Sequence, residues 1–135
     1  MICGIYSTTI ALGEKRQTMK DFELIAYTKE NGNVPVMDFI EEQRPKMKSK
    51  ILRELDLLEE FGNELEGETT KHLDDGIFEL RVKFSSDITR ILYFFHIGKK
   101  IILTNGFVKK TQKTPPREIE LAKKCRKDYL EKEDK

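Results

Sequence analysis

The sequence predicts an α+β domain with the element order β-α-α-β-β-β-α, in which a small twisted antiparallel sheet carries two N-terminal helices and a C-terminal helix. Three observations support this prediction. Apolar and polar residues alternate near the start and again in the middle of the chain, as in strands with one buried face. Between these two regions, apolar residues recur at helical spacing. Very short connectors join the last three predicted strands, which forces neighbouring strands to run antiparallel.

The first half of the chain predicts one strand and two helices. FELIAYT (22–28) alternates apolar and polar residues and predicts the first strand. After the turn sequence ENGN, residues 34–43 carry Pro35 at a position typical of a first helical turn. Residues 46–62 predict the clearest helix, because their apolar side chains form one stripe and Gly62 stands where a helix ends.

The second half predicts a loop, three strands and a helix. The polar, acidic segment 63–75 predicts the loop. Strands are predicted at 76–84, 89–95 and 100–108, joined by the connectors SSDI and HIGK. The third of these strands has apolar residues on both faces, which indicates a position inside the sheet. The final helix is predicted at about 117–132, after TQKTPP.

Composition and length are typical of one small soluble domain. Of 135 residues, 38% are hydrophobic and 36% are charged. No window approaches the roughly 20 apolar residues of a membrane span, and the N-terminus lacks the basic region of a secretory signal. We therefore expect a cytoplasmic protein with no membrane association. Because Met19 directly precedes the first predicted strand, we expect residues 1–18 to be an extension, disordered or a mis-assigned start, and residues 19–135 to form a single domain.

The residues that usually hold metals are few and scattered. Cys3 and Cys125 lie at opposite ends of the chain, and His72 and His96 are equally isolated. Glycine-rich phosphate loops, G-x-S-x-G elbows and HExxH motifs are missing from the sequence. We therefore expect free thiols in a reducing compartment, no metal and no cofactor.

Charge is distributed unevenly along the chain, although the net charge is only +1. Residues 21–70 contain six basic and thirteen acidic side chains, whereas residues 71–113 contain nine basic and four acidic ones. A cationic surface built by the second half suits a polyanion such as nucleic acid. An evenly solvated sheet face is the alternative interpretation.

The cations of the second half concentrate on one predicted hairpin. Period-two alternation places Arg81 and Lys83 on the same face, where their like charges repel each other unless an anion lies between them. Arginine holds a phosphate bidentately, and a neighbouring lysine adds a point charge. Arg90 opens the next predicted strand, but the strand register decides whether it shares this face. The basic and aromatic residues that continue the set are Lys71, Tyr93, Phe107, Lys109, Lys110 and Lys113.

Three stretches of the second half resemble a known family. GIFELR (76–81), RILYF (90–94) and FVKKTQKTPPREIELA (107–122) are similar to the phage-derived, HigB-type branch of the RelE/ParE toxin superfamily. The resemblance covers about residues 21–130 and implies a RelE-like fold with the element order given above. It also implies the toxin of a type II toxin–antitoxin pair, whose relatives enter the ribosomal A site and cleave the mRNA there.

The resemblance further implies a set of catalytic residues. In RelE-type nucleases, a basic pair at i and i+2 precedes an arginine nine residues after the first member, and this pattern matches Arg81, Lys83 and Arg90. A further basic residue at the end of the next strand matches Lys110. Where RelE relatives carry a tyrosine, this chain has Pro116, so the general base is not identified by the pattern. His72 and His96 are substitutes on chemistry alone.

The expected reaction is metal-independent cleavage of mRNA with the ribose 2′-OH as nucleophile. We expect Arg81 and Arg90 to act as phosphate clamps and Lys83 as a proton-transfer or charge-stabilising partner. The residues expected to contact RNA, as backbone contacts or as stacking aromatic rings, are Lys71, Tyr93, Phe107, Lys109 and Lys113.

The resemblance also implies partners. They are a HigA-like helix-turn-helix antitoxin, the ribosome with its mRNA and, only through the antitoxin, operator DNA. Two other functions fit the same scaffold: a ParE-like gyrase-inhibiting toxin and a non-catalytic RNA- or ribosome-binding module.

Overall fold

The computed structural model describes residues 21–65, 69–109 and 113–133. Its elements are strand β1 (Glu23–Ala26), helix α1 (Pro35–Glu41), helix α2 (Pro45–Phe61), strand β2 (Thr70–Asp74), strand β3 (Ile77–Phe84), strand β4 (Asp87–His96), strand β5 (Lys100–Val108) and helix α3 (Pro116–Glu133). A single 3₁₀ turn (Gly62–Glu64) follows α2. The predicted α+β fold is confirmed. The expected extension at 1–18 lies outside the described residues, and a single domain at 19–135 stays a prediction.

The five strands form one mostly antiparallel sheet in the order β1-β5-β4-β3-β2. Only the pair β1 and β5 runs parallel among the pairs of this sheet. Strand β5 is hydrogen-bonded on both sides, by β1 and β4, so its predicted position inside the sheet is confirmed. The sheet places β3, β4 and β5 side by side, and these strands carry most of the predicted site residues.

The loop predicted for 63–75 is wrong in its second half. Residues Thr70–Asp74 form the edge strand β2, which pairs antiparallel with β3. The prediction failed because an edge strand buries little of either face, and Lys71, His72 and Asp74 are all exposed. Hydrophobic alternation, the main signal of a strand, is therefore nearly absent from this segment.

One face of the sheet, which we call the helix face, is covered by α1 and α2. The apolar stripe predicted for α2 packs here and is buried together with the β-strand residues of this face. The buried residues of the stripe are Met47, Ile51, Leu55 and Leu58. On β5, Gly106 lets α1 approach closely, because a Cβ atom at this position would lie 2.5 Å from the ring of Phe39.

The opposite face, which we call the α3 face, is covered by the C-terminal helix. Ala122 and Cys125 of α3 pack against a second apolar cluster on the sheet. Its buried strand residues are Ile77, Leu92, Phe94 and Ile102. Cys125 is a free, buried cysteine, and burial raises the pKa of its thiol to about 11. Arg81, Lys83 and Arg90 lie on this same face, toward the other end of β3 and β4.

Candidate nucleic-acid interface

The register between β3 and β4 brings the predicted cations onto one face of the sheet. Arg81 lies directly opposite Arg90 in this antiparallel pair. Side chains of directly opposed residues project from the same face, with Cβ atoms about 4.5–5.5 Å apart. Glu79 and Lys83 share this face with Arg81, because they precede and follow it by two residues. The register that the sequence left open thus places Arg90 beside Arg81.

Two neighbouring strands complete the set. Lys71 of β2 lies opposite Glu79, and Phe107 of β5 lies opposite Arg90. Lys109 follows Phe107 by two residues, and its backbone N–H donates a hydrogen bond of 2.7 Å to the carbonyl oxygen of Ile88 on β4. We call the group formed by Lys71, Arg81, Lys83, Arg90 and Lys109 the cationic face.

A β-bulge sets the position of Phe107 within this group. Between β4 and β5 the register shifts from Tyr93 opposite Leu103 to Ile91 opposite Gly106. Two residues of β5, Thr104 and Asn105, therefore stand against Leu92 of β4. Without the extra residue, the side chain of Phe107 would point to the helix face. The bulge turns it to the α3 face, where it is half-buried beside Arg90.

Arg90, which we expected to act as a phosphate clamp, is buried. Its side chain is only 4% exposed and forms a buried ion pair with Glu79, which is 1% exposed. Thr114, in the segment before α3, donates its hydroxyl to Glu79 Oε1 at 2.6 Å. The same hydroxyl oxygen accepts a hydrogen bond of 3.3 Å from Arg90 Nη1. We call Glu79, Arg90 and Thr114 the buried triad.

The buried triad changes the electrostatics of the cationic face. Since Glu79 neutralises Arg90 within the protein, the positive charge available to a ligand comes from the residues around the pair. Arg81 is half-buried, and Lys71 and Lys83 are exposed. Removing one member of a buried ion pair is strongly destabilising, whereas an exposed lysine contributes little to stability. The Glu79–Arg90 pair is therefore buried beneath the cationic face, and the exposed cations surround it at the surface.

Lys109 has a lowered pKa for reasons that the geometry explains. Desolvation is the largest cause, because it disfavours the charged ammonium. Repulsion from Arg90, Arg81 and Lys71 lowers the pKa further, while the carboxylate of Glu79 raises it. These interactions show that the ammonium of Lys109 lies within the field of the other cations. We had expected Lys109 only to hold the RNA backbone.

Tyr93 is not brought to the cationic face. It projects from the helix face, its side chain is 0% exposed, and its ring stacks on Phe78 at a centroid distance of 5.6 Å. Its hydroxyl donates a hydrogen bond of 2.7 Å to Asn63 Oδ1, and burial raises its pKa. This placement does not fit the predicted stacking of Tyr93 on a base. Phe107 is the aromatic residue of the described part that lies beside the cations.

The two histidines lie away from the cationic face. His72 of β2 stands opposite Phe78, so it projects from the helix face, and its Nε2 accepts a hydrogen bond of 3.2 Å from the N–H of Gly76. His96 contacts the ring of Tyr129 on α3 at 5.4 Å. It lies six residues from Arg90 along β4, which corresponds to roughly 20 Å of strand.

The segment between β5 and α3 carries the last predicted residues. Lys113 is exposed next to Thr114 of the buried triad, and Pro116 is the exposed first residue of α3. Lys110, the fourth predicted catalytic residue, lies outside the described residues.

Comparison with protein families identifies the chain at the level of a family. Residues 38–127, which run from α1 into α3 and contain the whole cationic face, match the model described as Phage derived protein Gp49-like (DUF891). The chain belongs to the Gp49-like family. This phage-derived family is of the RelE toxin type, so the resemblance is confirmed at this coarser level. A search of the curated proteins found no match.

The Gp49-like chain has a small pocket at one end of the cationic face. The pocket measures about 230 Å³ and is lined by Arg81, Lys83, Val82 and Thr69 together with Lys50 and Glu54 of α2. Lys50 was not among the predicted site residues, because nothing in the sequence indicates that α2 reaches the edge of β3. Glu79 and Thr114 were not among them either. The period-two alternation that placed Arg81 and Lys83 on one face would also have placed Glu79 on that face.

Within 21–65, 69–109 and 113–133, histidine, cysteine, aspartate and glutamate residues do not form a group of three or more that could hold a metal ion. None of the helices in these ranges has the length and apolar character required to cross a membrane.

Proposed function

We propose that this Gp49-like chain is the toxin of a type II toxin–antitoxin pair, a HigB-type, ribosome-dependent and metal-independent endoribonuclease that cleaves mRNA. The observation that carries the proposal is the convergence of Lys71, Arg81, Lys83 and Lys109 on one face of the sheet, around the buried Glu79–Arg90 pair. Clustered like charges repel one another, and a bound polyanion reduces that repulsion.

The proposed chemistry uses the nucleophile that RNA already contains. The 2′-OH attacks the adjacent phosphorus, the bond from phosphorus to the 5′-oxygen breaks, and the products are a 2′,3′-cyclic phosphate and a free 5′-hydroxyl. The protein must orient the phosphate, stabilise the charge that develops on its oxygens and move two protons. Fixed cations supply the first two functions without a metal ion.

We assign roles to four residues of the cationic face and to the neighbouring Phe107. Arg81 projects from the centre of the face and holds the scissile phosphate with its planar guanidinium. Lys83 protonates or stabilises the leaving oxygen, and Lys71 holds a flanking phosphate. Phe107 offers a half-buried ring on which a base can stack. Arg90 has a structural role: its guanidinium, held by Glu79 and Thr114, supports β3 and β4 beneath the exposed cations.

The partners follow from the same chemistry. An exposed nuclease face must be blocked while the host cell grows, and we propose that a HigA-like helix-turn-helix antitoxin does this and alone contacts operator DNA. The ribosome presents the mRNA in its A site, which explains why a small cationic face with a 230 Å³ pocket suffices for the proposed activity.

The test is to add the purified chain to translating ribosomes and map the mRNA ends. The wild-type protein should produce 5′-hydroxyl ends within codons in the A site. Arg81→Ala should reduce the cleavage rate by about 10²–10³-fold, as expected for loss of a group that stabilises transition-state charge. The matched control is Lys127→Ala, which removes an exposed cation of α3 that is not part of the cationic face and should leave cleavage unchanged.

Two results would contradict the proposal. The first is a wild-type protein that binds the ribosome but produces no new mRNA ends, which would indicate a non-catalytic binding module. The second is an Arg81→Ala variant that cleaves as fast as Lys127→Ala. Arg81→Lys separates the classes further, since a binding module tolerates this change, whereas bidentate phosphate recognition does not.

A further inference from the structure

The proposed reaction needs a group that accepts the proton of the 2′-OH, and the usual acceptors of the described residues are misplaced. His72 and Tyr93 project from the helix face. His96 shares the α3 face but lies roughly 20 Å from Arg90 along β4. Pro116 has no ionisable side chain. None of these four residues of the described part can reach a phosphate held by Arg81.

Glu79 is on the correct face, but its carboxylate is already engaged. Oε2 is paired with Arg90 and Oε1 accepts the hydroxyl proton of Thr114 at 2.6 Å. With a side chain only 1% exposed, Glu79 lies beneath the surface that a ribose would contact. Accepting a proton would also leave Arg90 as an unpaired buried cation, which is costly.

Three lysines lie on the described part of this face: Lys71, Lys83 and Lys109. Lys71 is on the edge strand β2 and is proposed to hold a flanking phosphate, whereas Lys83 and Lys109 lie on opposite sides of β4. Lys83 on β3 stands directly opposite Ile88, while Lys109 at the end of β5 donates its backbone N–H to the carbonyl of the same Ile88. Two strand spacings separate their backbones, a distance of about 10 Å. A phosphate above Ile88 would therefore have one lysine on each side, as an in-line displacement requires.

The surroundings distinguish the two lysines. Lys83 is exposed, whereas Lys109 is half-buried. The charged groups that act on Lys109 include Glu79 and Arg81 on β3, Arg90 on β4 and Lys71 on β2. Three of these four groups are cations, and together with desolvation they lower the pKa of Lys109, so that its neutral amine is more accessible than that of an ordinary lysine. On α3, the carboxylate of Glu118 is engaged by Asn105.

We propose that Lys109 is the general base of the RNA cleavage reaction. This inference rests on the proposed function and names a catalytic residue for it. The neutral Nζ of Lys109 takes the proton from the 2′-OH while the bond from the 2′-oxygen to phosphorus forms. The bond from phosphorus to the 5′-oxygen breaks, and the ammonium of Lys83 gives its proton to that oxygen. Exchange with water then returns both lysines to their starting states.

The central experiment is single-turnover cleavage on translating ribosomes with Lys109→Arg. Arginine keeps the positive charge but does not lose its proton in the accessible pH range, so the rate should fall by about 10²-fold or more. Ribosome binding, measured by co-sedimentation, should stay within twofold of the wild type. The matched control is Lys127→Arg, which makes the same substitution at an exposed position of α3 and should cleave at the wild-type rate.

The pH profile of the cleavage rate and a modified substrate test whether Lys109 acts as the general base or as the general acid. The wild-type rate should rise with pH and level off below the ordinary lysine value of 10.5, whereas the rate of Lys109→Arg should continue to rise with hydroxide concentration. A substrate with sulfur in place of the bridging 5′-oxygen needs no general acid. It should restore a variant that lacks the acid, Lys83→Arg, and should not restore Lys109→Arg.

Each outcome decides for or against the inference. Restoration of Lys109→Arg by the sulfur substrate would make Lys109 the acid and overturn the proposal. A wild-type rate for Lys109→Arg, combined with a loss for Lys110→Arg, would transfer the role to the residue that matches the RelE pattern. If the wild-type protein fails to cleave at all, the proposed function itself is wrong, so the two failures are distinguishable.

Discussion

The two ends of the α3 face differ in what covers them. At one end, α3 buries Leu92, Phe94 and Ile102 among apolar neighbours. At the other end, the same strands carry exposed or half-buried cations, and the buried polar groups beneath them belong to the triad. The sheet face is thus divided into an apolar end, on which a helix packs, and a cationic end, which belongs to the proposed RNA interface. Truncation of a side chain should therefore destabilise the protein more at the apolar end than at the cationic end.

The buried triad lies at the boundary between the two ends. Of the substitutions considered, Glu79→Ala should cause the largest loss of stability, because it removes the counter-ion of Arg90. The substitution leaves Arg90 buried without its counter-ion, which should cost about 3–5 kcal/mol in the free energy of unfolding. Urea denaturation monitored by circular dichroism measures this loss. Glu23→Ala, which removes an exposed carboxylate from β1, should stay within about 0.5 kcal/mol of the wild type.

A double variant tests whether the loss of stability in Glu79→Ala comes from the uncompensated charge of Arg90. Arg90→Met in the Glu79→Ala background should recover part of the stability, because a buried apolar side chain then replaces the unpaired guanidinium. Equal stabilities of the single and the double variant would show that charge burial is not the cause.

The apolar end should respond to truncation, whereas the cationic end should not. Leu92 is 0% exposed beneath α3, and Leu92→Ala should cost about 2–5 kcal/mol through lost burial and a residual cavity. Lys83→Ala, at the uncovered end of the same face, should change stability by less than about 0.5 kcal/mol. The same denaturation experiment compares both. A Lys83→Ala variant as unstable as Leu92→Ala would contradict the division of the face.

A milder change at the boundary concerns the hydroxyl of Thr114. Thr114→Val preserves shape but removes the donor to Glu79 Oε1, so it should destabilise by about 1–3 kcal/mol, the range for a buried acceptor that loses its partner. Thr28→Val, at an exposed threonine after β1, provides the matched control. A thermal midpoint for Thr114→Val equal to that of the control would show that the hydrogen bond does not stabilise the fold.

The smallest effect on stability is expected at Lys109, with an informative sign. Because its pKa in the folded protein lies below the ordinary value of 10.5, the unfolded chain binds this proton more tightly. Lys109 therefore lowers stability at neutral pH, and this penalty disappears as pH rises from the folded pKa to 10.5. Lys109→Met should raise the thermal midpoint slightly at pH 7 and not above pH 10.5. A lower midpoint at pH 7 would contradict the lowered pKa.

The fold was largely predictable, because its strongest elements repeat their pattern locally. The stripe of α2 and the alternation of β3 are signals within one element, and both helix and strand were predicted within a few residues of their bounds. Strand β2 was missed because an edge strand made of Lys71 and His72 buries too little to produce a pattern. Its strand conformation comes from pairing with β3, which is a long-range contact.

The candidate site was predictable in its membership and less so in its roles. The two-residue spacing of Arg81 and Lys83 along one strand was enough to place them on the same face. The burial of Arg90 depends on Thr114, which is 24 residues away in sequence, and the exclusion of Tyr93 depends on the register of β4. The identity of Lys109 as the lysine in the field of the other cations depends on the bulge that turns Phe107 toward the same face.

The sequence by itself determined the element types and the supply of cations, since helical and strand periodicity and residue charge are properties of short segments. Only the tertiary structure decided which cation is buried against Glu79 and which remain at the surface. Ion pairing and desolvation depend on distances between strands and on the segment before α3, and those distances are set by register, bulge and packing, which a linear pattern does not contain.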